Sequence, residues 1–169
     1  MPPKIYIDGQ AGTTALRIRD WLAGRKDLEV VTLSEELRKD PAARKKALQD
    51  AAIVLLCLPD DASREAAEWL ADSPVRILDA STAHRVQQSW TYGLPELVAG
   101  QREQIAKAQR VANPGCYASA AILLVRPLID AGLLSPDTPL AIHALSGYSG
   151  RGRSMIEGWE DPKGGLPEL

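Results

Sequence analysis

The 169-residue chain is poor in several features that mark particular classes of protein. It has only two cysteines, too few for the framework of a disulfide-rich secreted domain. Its 20 lysines and arginines balance 22 acidic residues, so no excess of positive charge indicates a nucleic acid or an anionic membrane as a partner. Its longest strongly apolar run, residues 51–59, is far shorter than the ~20 residues that cross a bilayer. Any anionic ligand must therefore be bound by a local site.

The amino terminus lacks the features of a targeting segment. Residues 1–8 enter a strand-like sequence without the basic, apolar and small-residue regions of a signal peptide. We therefore expect a cytoplasmic protein, in which a reducing environment disfavours a disulfide between Cys57 and Cys116. The composition is that of a globular protein. The length suffices for one domain with a hydrophobic core, or for one domain and the beginning of another.

What the chain does have is a regular alternation of strand-like and helix-like segments. The strands are almost entirely apolar, which is typical of a parallel sheet covered by helices on both faces. The sequence therefore predicts a doubly wound α/β fold with a Rossmann-type parallel sheet. A further strand is predicted at 140–145, whereas residues 147–169 are glycine-rich and show no clear period. The predicted strands are 4–8, 28–33, 53–58, 75–79 and 110–112, and the predicted helices are 12–22, 41–51, 62–70, 101–108 and 116–131.

A glycine-containing turn connects the first predicted strand to the first predicted helix. Gly9 and Gly12 let the backbone turn tightly and approach a pyrophosphate, whose charge then lies at the free amides of the helix that Thr13 and Thr14 begin. Ala15 is small enough for close packing of helix on strand. The spacing G-x-x-G-x-x-A differs by one residue from the commonest dinucleotide fingerprint, and a turn without a ligand is the alternative.

The residues after the second predicted strand favour NADP over NAD. Enzymes that bind NAD usually have an acidic residue there, which binds the ribose 2′-hydroxyl, but this strand ends at the neutral Ser34. Arg38 and Lys39 follow, and either could neutralise a 2′-phosphate. For most basic residues of this segment, Arg44 among them, a solvated helix face is the alternative.

The two cysteines have different surroundings. Cys57 ends an apolar run and is expected to be a small buried residue of a central strand. With Pro59 it could also line the cofactor cleft, because ligands collect at the carboxyl ends of parallel strands. Cys116 follows an Asn-Pro-Gly turn and begins a helix. Since amides at a helix amino terminus stabilise a thiolate, Cys116 is the candidate nucleophile, with a structural role as the alternative.

The two histidines are weaker candidates. His84 lies in a polar loop after the fourth predicted strand, where a surface role is expected. His143 lies within an apolar segment, where a hydrogen-bonded, half-buried side chain is expected. Neither is a convincing base for Cys116. These histidines and cysteines contain no close-spaced pair of ligands, so no metal site is predicted.

Several separated motifs resemble those of a known family. The segment 113–117, Asn-Pro-Gly-Cys-Tyr, resembles the active-site signature of N-acetyl-γ-glutamyl-phosphate reductase, a member of the aspartate-semialdehyde dehydrogenase-like group. The resemblance runs along the whole chain and is to the shorter, type 2 branch. One departure is Ala118-Ser119, where the family typically has Pro-Thr. The other similar segments are 8–14, 79–85, 92–96 and 146–150.

This resemblance implies an activity and a domain organisation. Cys116 would attack the acyl phosphate of N-acetyl-glutamyl 5-phosphate, and NADPH would reduce the resulting thioester to the semialdehyde, a step of arginine biosynthesis. Residues 1–115 would form the NADP-binding domain, and 116–169 would begin an α+β substrate and dimerisation domain. The remainder of that domain, with an acid/base histidine, is expected beyond residue 169, so this chain alone is expected to be inactive. The full-length form is expected to be a homo-oligomer.

The resemblance also extends the predicted sites. Asn113, Arg85 and Arg151 are candidate substrate-binding residues, since arginine binds phosphates and carboxylates through two hydrogen bonds. Aspartate-semialdehyde dehydrogenase is the alternative among enzymes, and a non-catalytic Rossmann nucleotide-binding module is the alternative outside them. The further candidate cofactor-binding residues are Ser81, Gly147, Ser149 and Gly150.

Overall fold

A computed structural model describes residues 2–9, 13–145, 147 and 153–160 of the chain. Six strands form one sheet in the order β2-β1-β3-β4-β6-β5. Every pair of neighbouring strands is parallel, so the doubly wound, Rossmann-type plan is confirmed. The strands are β1 (Lys4–Asp8), β2 (Glu29–Val31), β3 (Ile53–Leu56), β4 (Arg76–Asp79), β5 (Thr91–Tyr92) and β6 (Arg110–Ala112).

Helices connect most of these strands. The caps explain where some of them begin: Asp40 accepts a hydrogen bond from the Ala43 amide at 2.6 Å, and Pro41 occupies the first helical turn of α2. None of the helices in the described ranges is long and apolar enough to cross a membrane. The helices are α1 (Thr13–Leu22), α2 (Pro41–Gln49), α3 (Asp60–Glu68), α4 (Gln101–Lys107), α5 (Cys116–Asp130) and α6 (Arg153–Glu160).

Apolar side chains cover both faces of the sheet. Successive residues of a strand point to opposite faces, and Ile5 and Ile7 accordingly join a different cluster from Tyr6. Tyr6 packs with side chains of β3 and β4 and with residues from α2 and α3, while Ile5 and Ile7 pack against Ala15 of α1. The almost continuously apolar sequence of the central strands follows from this burial on two sides.

Three elements differ from the sequence-based expectation. Residues 140–145 are not a strand: they have no regular secondary structure, and their side chains are exposed. A strand needs a partner for its backbone amides and carbonyls, and the described part of the chain pairs no segment with this one. The short strand β5, which pairs with β6, and the helix α6 were not predicted.

Candidate active site

The carboxyl ends of four parallel strands align in one row at one edge of the sheet. Asp8, Leu56, Asp79 and Ala112 are register partners from β1, β3, β4 and β6. The residues that follow are joined to the neighbouring strand: the Cys57 amide donates to the Asp8 carbonyl at 2.8 Å, and the Asn113 amide donates to the Asp79 carbonyl at 2.7 Å. Ligands of open α/β sheets bind outside this edge, so the candidate site lies here.

The turn after β1 requires glycine at its first position. Gly9 has φ of 85°, and a β-carbon placed on it would lie 2.2 Å from the Cys57 carbonyl oxygen. Its amide donates to the Asp8 carboxylate at 3.1 Å. Thr13 and Thr14 begin α1, but their side chains and the whole of Gly12 lie outside the described residues.

Two predicted basic residues share a cleft with this turn. Arg38 and Lys39 line it together with Asp8 and Gly9. Arg38 also pairs with the exposed Glu35 at 2.5 Å. Ser34 is exposed, and its hydroxyl donates to the Glu36 carboxylate at 3.4 Å. The structure therefore brings a cation whose ion-pair partner is an exposed carboxylate to the glycine turn.

Arg44 lines the same cleft but does not belong to a solvated helix face, so that interpretation is wrong for this residue. Its guanidinium donates to both oxygens of Asp8, with Nη2–Oδ2 at 2.9 Å, and it lies 5.2 Å from the centre of the Trp69 ring. The side chains of Arg44 and Asp8 are only 12% and 3% exposed. Burial, together with the negative charge of Asp8, raises the pKa of Tyr6 above its ordinary value. Arg44 thus neutralises a buried carboxylate beside the glycine turn.

Cys57 directly follows β3 and is partly buried. Burial, with the negative charges of Asp79 and Asp8, raises the pKa of its thiol to about 11. A thiol reacts as its thiolate, so Cys57 is a poor nucleophile near neutral pH. Pro59 lies at the amino-terminal cap position of α3.

Cys116 is exposed and begins α5. The cap residue Gly115 is extended and supplies no side-chain hydrogen bond, so no capping side chain competes for the first amides of the helix. Arg85 lies against this turn: its Nε donates to the Asn113 carbonyl at 3.0 Å, and its Nη1 would lie 2.7 Å from a β-carbon on Gly115. The structure therefore brings together three predicted residues, Cys116, Asn113 and Arg85.

The predictions for both histidines are wrong. His84 is buried rather than on the surface, with 4% exposure, and its Nδ1 lies 2.6 Å from the Asp79 carboxylate. Ser81 donates to the same carboxylate through its hydroxyl at 2.6 Å. His143 is exposed, because the segment that carries it does not join the sheet. Within the described ranges, no group of three or more metal-binding side chains is placed to hold a metal ion.

Comparison with protein families identifies the chain. Residues 21–108, just over half of the chain, match the model of the semialdehyde dehydrogenase NAD-binding domain. The chain belongs to the semialdehyde dehydrogenase family. Residues 116–163 match the model of the dimerisation domain of semialdehyde dehydrogenase. Leu56 and Asp79 of the row of strand ends lie within the first match, and Cys116 is the first residue of the second match.

Individual relatives agree with this family. The chain is 51% identical over 169 residues to an N-acetyl-gamma-glutamyl-phosphate reductase of Chelativorans sp., covering all of this chain and 54% of the relative. It is 54% identical over 160 residues to N-acetyl-gamma-glutamyl-phosphate reductase 2 of Pseudomonas putida, covering 95% of this chain and 51% of the relative. The chain therefore spans about half the length of the curated relatives it matches.

A solved structure shares the fold. Aspartate semialdehyde dehydrogenase II of Vibrio cholerae, in a complex with ASA, has a TM-score of 0.68 at 16% sequence identity and covers 94% of this chain and 50% of that chain. At this identity the likeness concerns the fold alone.

The remaining candidate site residues lie near the end of the given sequence. Gly147 is exposed. Ser149, Gly150 and Arg151 lie outside the described residues. Sequence reasoning missed Arg44 and Asp79, which the structure places beside Gly9 and Ser81 respectively.

Proposed function

We propose that this chain carries the cofactor-binding part and the nucleophile of an N-acetyl-γ-glutamyl-phosphate reductase. The observation that carries the proposal is the exposed Cys116 at the start of α5, with the Arg85 guanidinium against the same turn. An acyl-transfer enzyme needs an accessible nucleophile and a cation for the departing anion. The names of the relatives supply the substrate class, and the family supplies the dinucleotide domain.

In the proposed reaction, Cys116 attacks the acyl carbon of N-acetyl-glutamyl 5-phosphate as a thiolate. The carbon–oxygen bond to the phosphate breaks, inorganic phosphate leaves, and a thioester to Cys116 remains. Arg85 binds the phosphate, and free amides at the start of α5 stabilise the negative oxygen of the tetrahedral intermediate. When bound, NADPH would supply the hydride for the acyl carbon of this thioester. The carbon–sulfur bond would then break, which would release the semialdehyde and return Cys116 as a thiolate. Asn113 orients the substrate next to the thiol.

The residues of the cleft fit a phosphorylated dinucleotide. A β-carbon at Gly9 would collide with the Cys57 carbonyl, so only glycine allows this tight turn, and the cleft beside it is lined by the basic Arg38 and Lys39. Arg44 already neutralises Asp8, so the charges of Arg38 and Lys39 remain for a ligand, and Glu35 is an exposed partner that a phosphate can replace. We therefore infer that Arg38 and Lys39 hold the 2′-phosphate of NADP.

The preference for NADP can be tested by titration. We expect the chain to bind NADPH at least about tenfold more tightly than NADH, since a charged hydrogen bond contributes ~1.5–3 kcal/mol. Arg38→Ala should remove most of this difference by weakening NADPH alone, measured by the fluorescence of the reduced nicotinamide. Arg102→Ala, which removes an exposed arginine of α4, is the matched control. Equal affinities of the unaltered chain for NADPH and NADH would contradict the assignment.

The acyl transfer can be tested on this chain directly. This chain alone is expected not to turn over, but the first half-reaction needs only the nucleophile: mixing the chain with N-acetyl-glutamyl 5-phosphate should release one phosphate per chain and add one acyl group to Cys116, detected by intact-mass and peptide mass spectrometry. Cys57→Ser should acylate normally, and Cys116→Ser should not acylate. A preference for aspartyl phosphate would instead favour aspartate-semialdehyde dehydrogenase. No acylation by either compound, with NADPH binding intact, would favour a non-catalytic nucleotide-binding module.

The remaining parts of the proposal concern the assembled protein. We propose residues 1–115 as the NADP-binding domain and 116–169 as the beginning of the substrate and dimerisation domain, with a homo-oligomer as the working form. The family match over 116–163 supports this, as do the exposed Leu123, Leu124 and Leu128 of α5. The protein is proposed to act in the cytoplasm, in arginine biosynthesis.

A further inference from the structure

A buried polar cluster lies under the loop that leads to Arg85. We call it the Asp79 cluster; it consists of Asp79, Ser63, Ser81 and His84. The Asp79 carboxylate is fully buried and accepts hydrogen bonds from the Ser63 hydroxyl at 2.9 Å, from the Ser81 amide at 2.9 Å and from the Ser81 hydroxyl at 2.6 Å. The His84 ring, with Nδ1 at 2.6 Å, completes the set. A buried carboxylate needs such donors because it has left water.

The His84 ring is held on a second side. It stacks on Trp90, with ring centres 4.0 Å apart and an angle of 11° between the planes. A carboxylate accepts hydrogen bonds, so His84 Nδ1 is the donor in this contact. The hydrogen bond to Asp79 and the stacking on Trp90 together hold the ring in position.

The loop around the cluster is also attached to α3. The Thr82 amide and hydroxyl donate to the Asp60 carboxylate, at 2.9 and 2.5 Å, and Arg64 donates to the Ala83 carbonyl at 3.0 Å. The two hydrogen bonds to Asp60 are exposed and the one from Arg64 is partly buried, whereas the His84 side chain is buried. Because buried contacts restrain a loop more than exposed ones, His84 has the larger influence on the residue that follows it.

That residue is Arg85, which lies over the cysteine turn. Its guanidinium donates to the Asn113 and Ala80 carbonyls, at 3.0 and 3.3 Å, and packs against Gly115. The Asp79 carbonyl accepts from the Asn113 amide at 2.7 Å. Asp79 therefore restrains the cysteine turn in two ways. Its carbonyl accepts from the Asn113 amide between β4 and β6, and its carboxylate contacts His84, which precedes Arg85.

We propose that His84 is a positioning residue, which holds Arg85 against the turn that carries Cys116. The contacts between His84, Asp79 and the turn are observed in the structure, whereas their effect on phosphate binding by Arg85 rests on the proposed function. His84 is buried and does not itself contact the substrate. It acts through Arg85. Loss of the hydrogen bond between His84 and Asp79 should weaken the contact of the Arg85 guanidinium with the Asn113 carbonyl while the sheet stays folded.

Two substitutions separate the hydrogen bond from the packing. His84→Phe keeps an aromatic ring on Trp90 and removes the donor to Asp79. His84→Asn keeps a side-chain N–H donor at the same distance from the backbone and removes the ring. The readout is the nuclear magnetic resonance signal of the Arg85 Nε–H, whose exchange with water is slowed by its bond to Asn113. We expect exchange to become about tenfold faster in His84→Phe, the size of one hydrogen bond, and to stay within about threefold of the unaltered chain in His84→Asn.

The same substitution at an exposed histidine, His143→Phe, is the control and should leave the Arg85 signal unchanged. Unaltered Arg85 exchange in folded His84→Phe overturns the proposal, because it would make His84 a merely structural residue. If His84→Phe does not fold, His84→Ala removes the same hydrogen bond to Asp79 without placing a larger apolar ring beside the buried carboxylate. Faster Arg85 exchange in that variant supports the proposal, and unchanged exchange overturns it.

Phosphate binding by Arg85 is tested in a separate experiment, with inorganic phosphate as the probe. Phosphate should slow the alkylation of Cys116 in the unaltered chain, and His84→Phe should raise the half-protecting concentration about tenfold. If phosphate protects neither chain while Arg85 exchange still responds to His84→Phe, the phosphate role of Arg85 fails and the positioning role of His84 stands.

Discussion

Replacing Arg44 by methionine is expected to lower the free energy of unfolding by about 3–5 kcal/mol, the usual cost of leaving a buried charge without its partner. Asp8 is 3% exposed and accepts two-point hydrogen bonding from Arg44. In the variant its carboxylate would keep the Gly9 amide as a donor at 3.1 Å but lose its cation. Urea denaturation at neutral pH, followed by far-ultraviolet circular dichroism, measures the change.

Two further variants serve as controls for the stability change of Arg44→Met. Lys45→Met removes an exposed cation from the next position of α2 and should change stability by less than about 0.5 kcal/mol. Asp8→Asn combined with Arg44→Met removes both charges and should recover much of the loss, because the two residues are directly coupled. A loss below about 1 kcal/mol in Arg44→Met would show that the pair behaves like a surface ion pair.

The sheet could be predicted because its signals are local. Ile5 and Ile7 alternate with Tyr6 in a strand covered on both sides, and Gly9 marks the point where the chain leaves it. The segment 140–145 has the same apolar character, yet it is not a strand. Strand formation depends on a partner segment, and periodicity within one segment carries no information about that partner. The two-residue β5 is too short to produce a pattern at all.

The part of the candidate site that lies in one short sequence motif could be predicted from the sequence. Asn113, Gly115 and Cys116 lie within four consecutive residues, and the amino terminus of a helix is a local feature. The Asp8–Arg44 pair joins residues 36 positions apart, and a basic helix segment gives no sign of which cation turns inward. For His84 a signal was available: Asp79 ends an apolar strand, and a serine, a histidine and Trp90 follow within the same loop. The polar character of that loop indicated the surface instead.

Alkylation by iodoacetamide at pH 7 is expected to modify Cys116 at least on the order of 100-fold faster than Cys57. Burial raises the pKa of Cys57 to about 11, which leaves its thiolate about 100-fold scarcer than that of an ordinary cysteine. Cys116 is exposed at the start of α5. Peptide mass spectrometry over time gives both rates in one sample.

The pH dependence has a definite sign. Since only the thiolate reacts, the rate at Cys57 should rise about tenfold for each pH unit and level off only near pH 11.

In guanidinium chloride the two cysteines should react at similar rates, because the difference depends on the fold. Faster alkylation of Cys57 than of Cys116 in the native chain would remove Cys116 as the nucleophile. It would also show that the turn before α5 does not present its thiol to a substrate at this edge of the sheet.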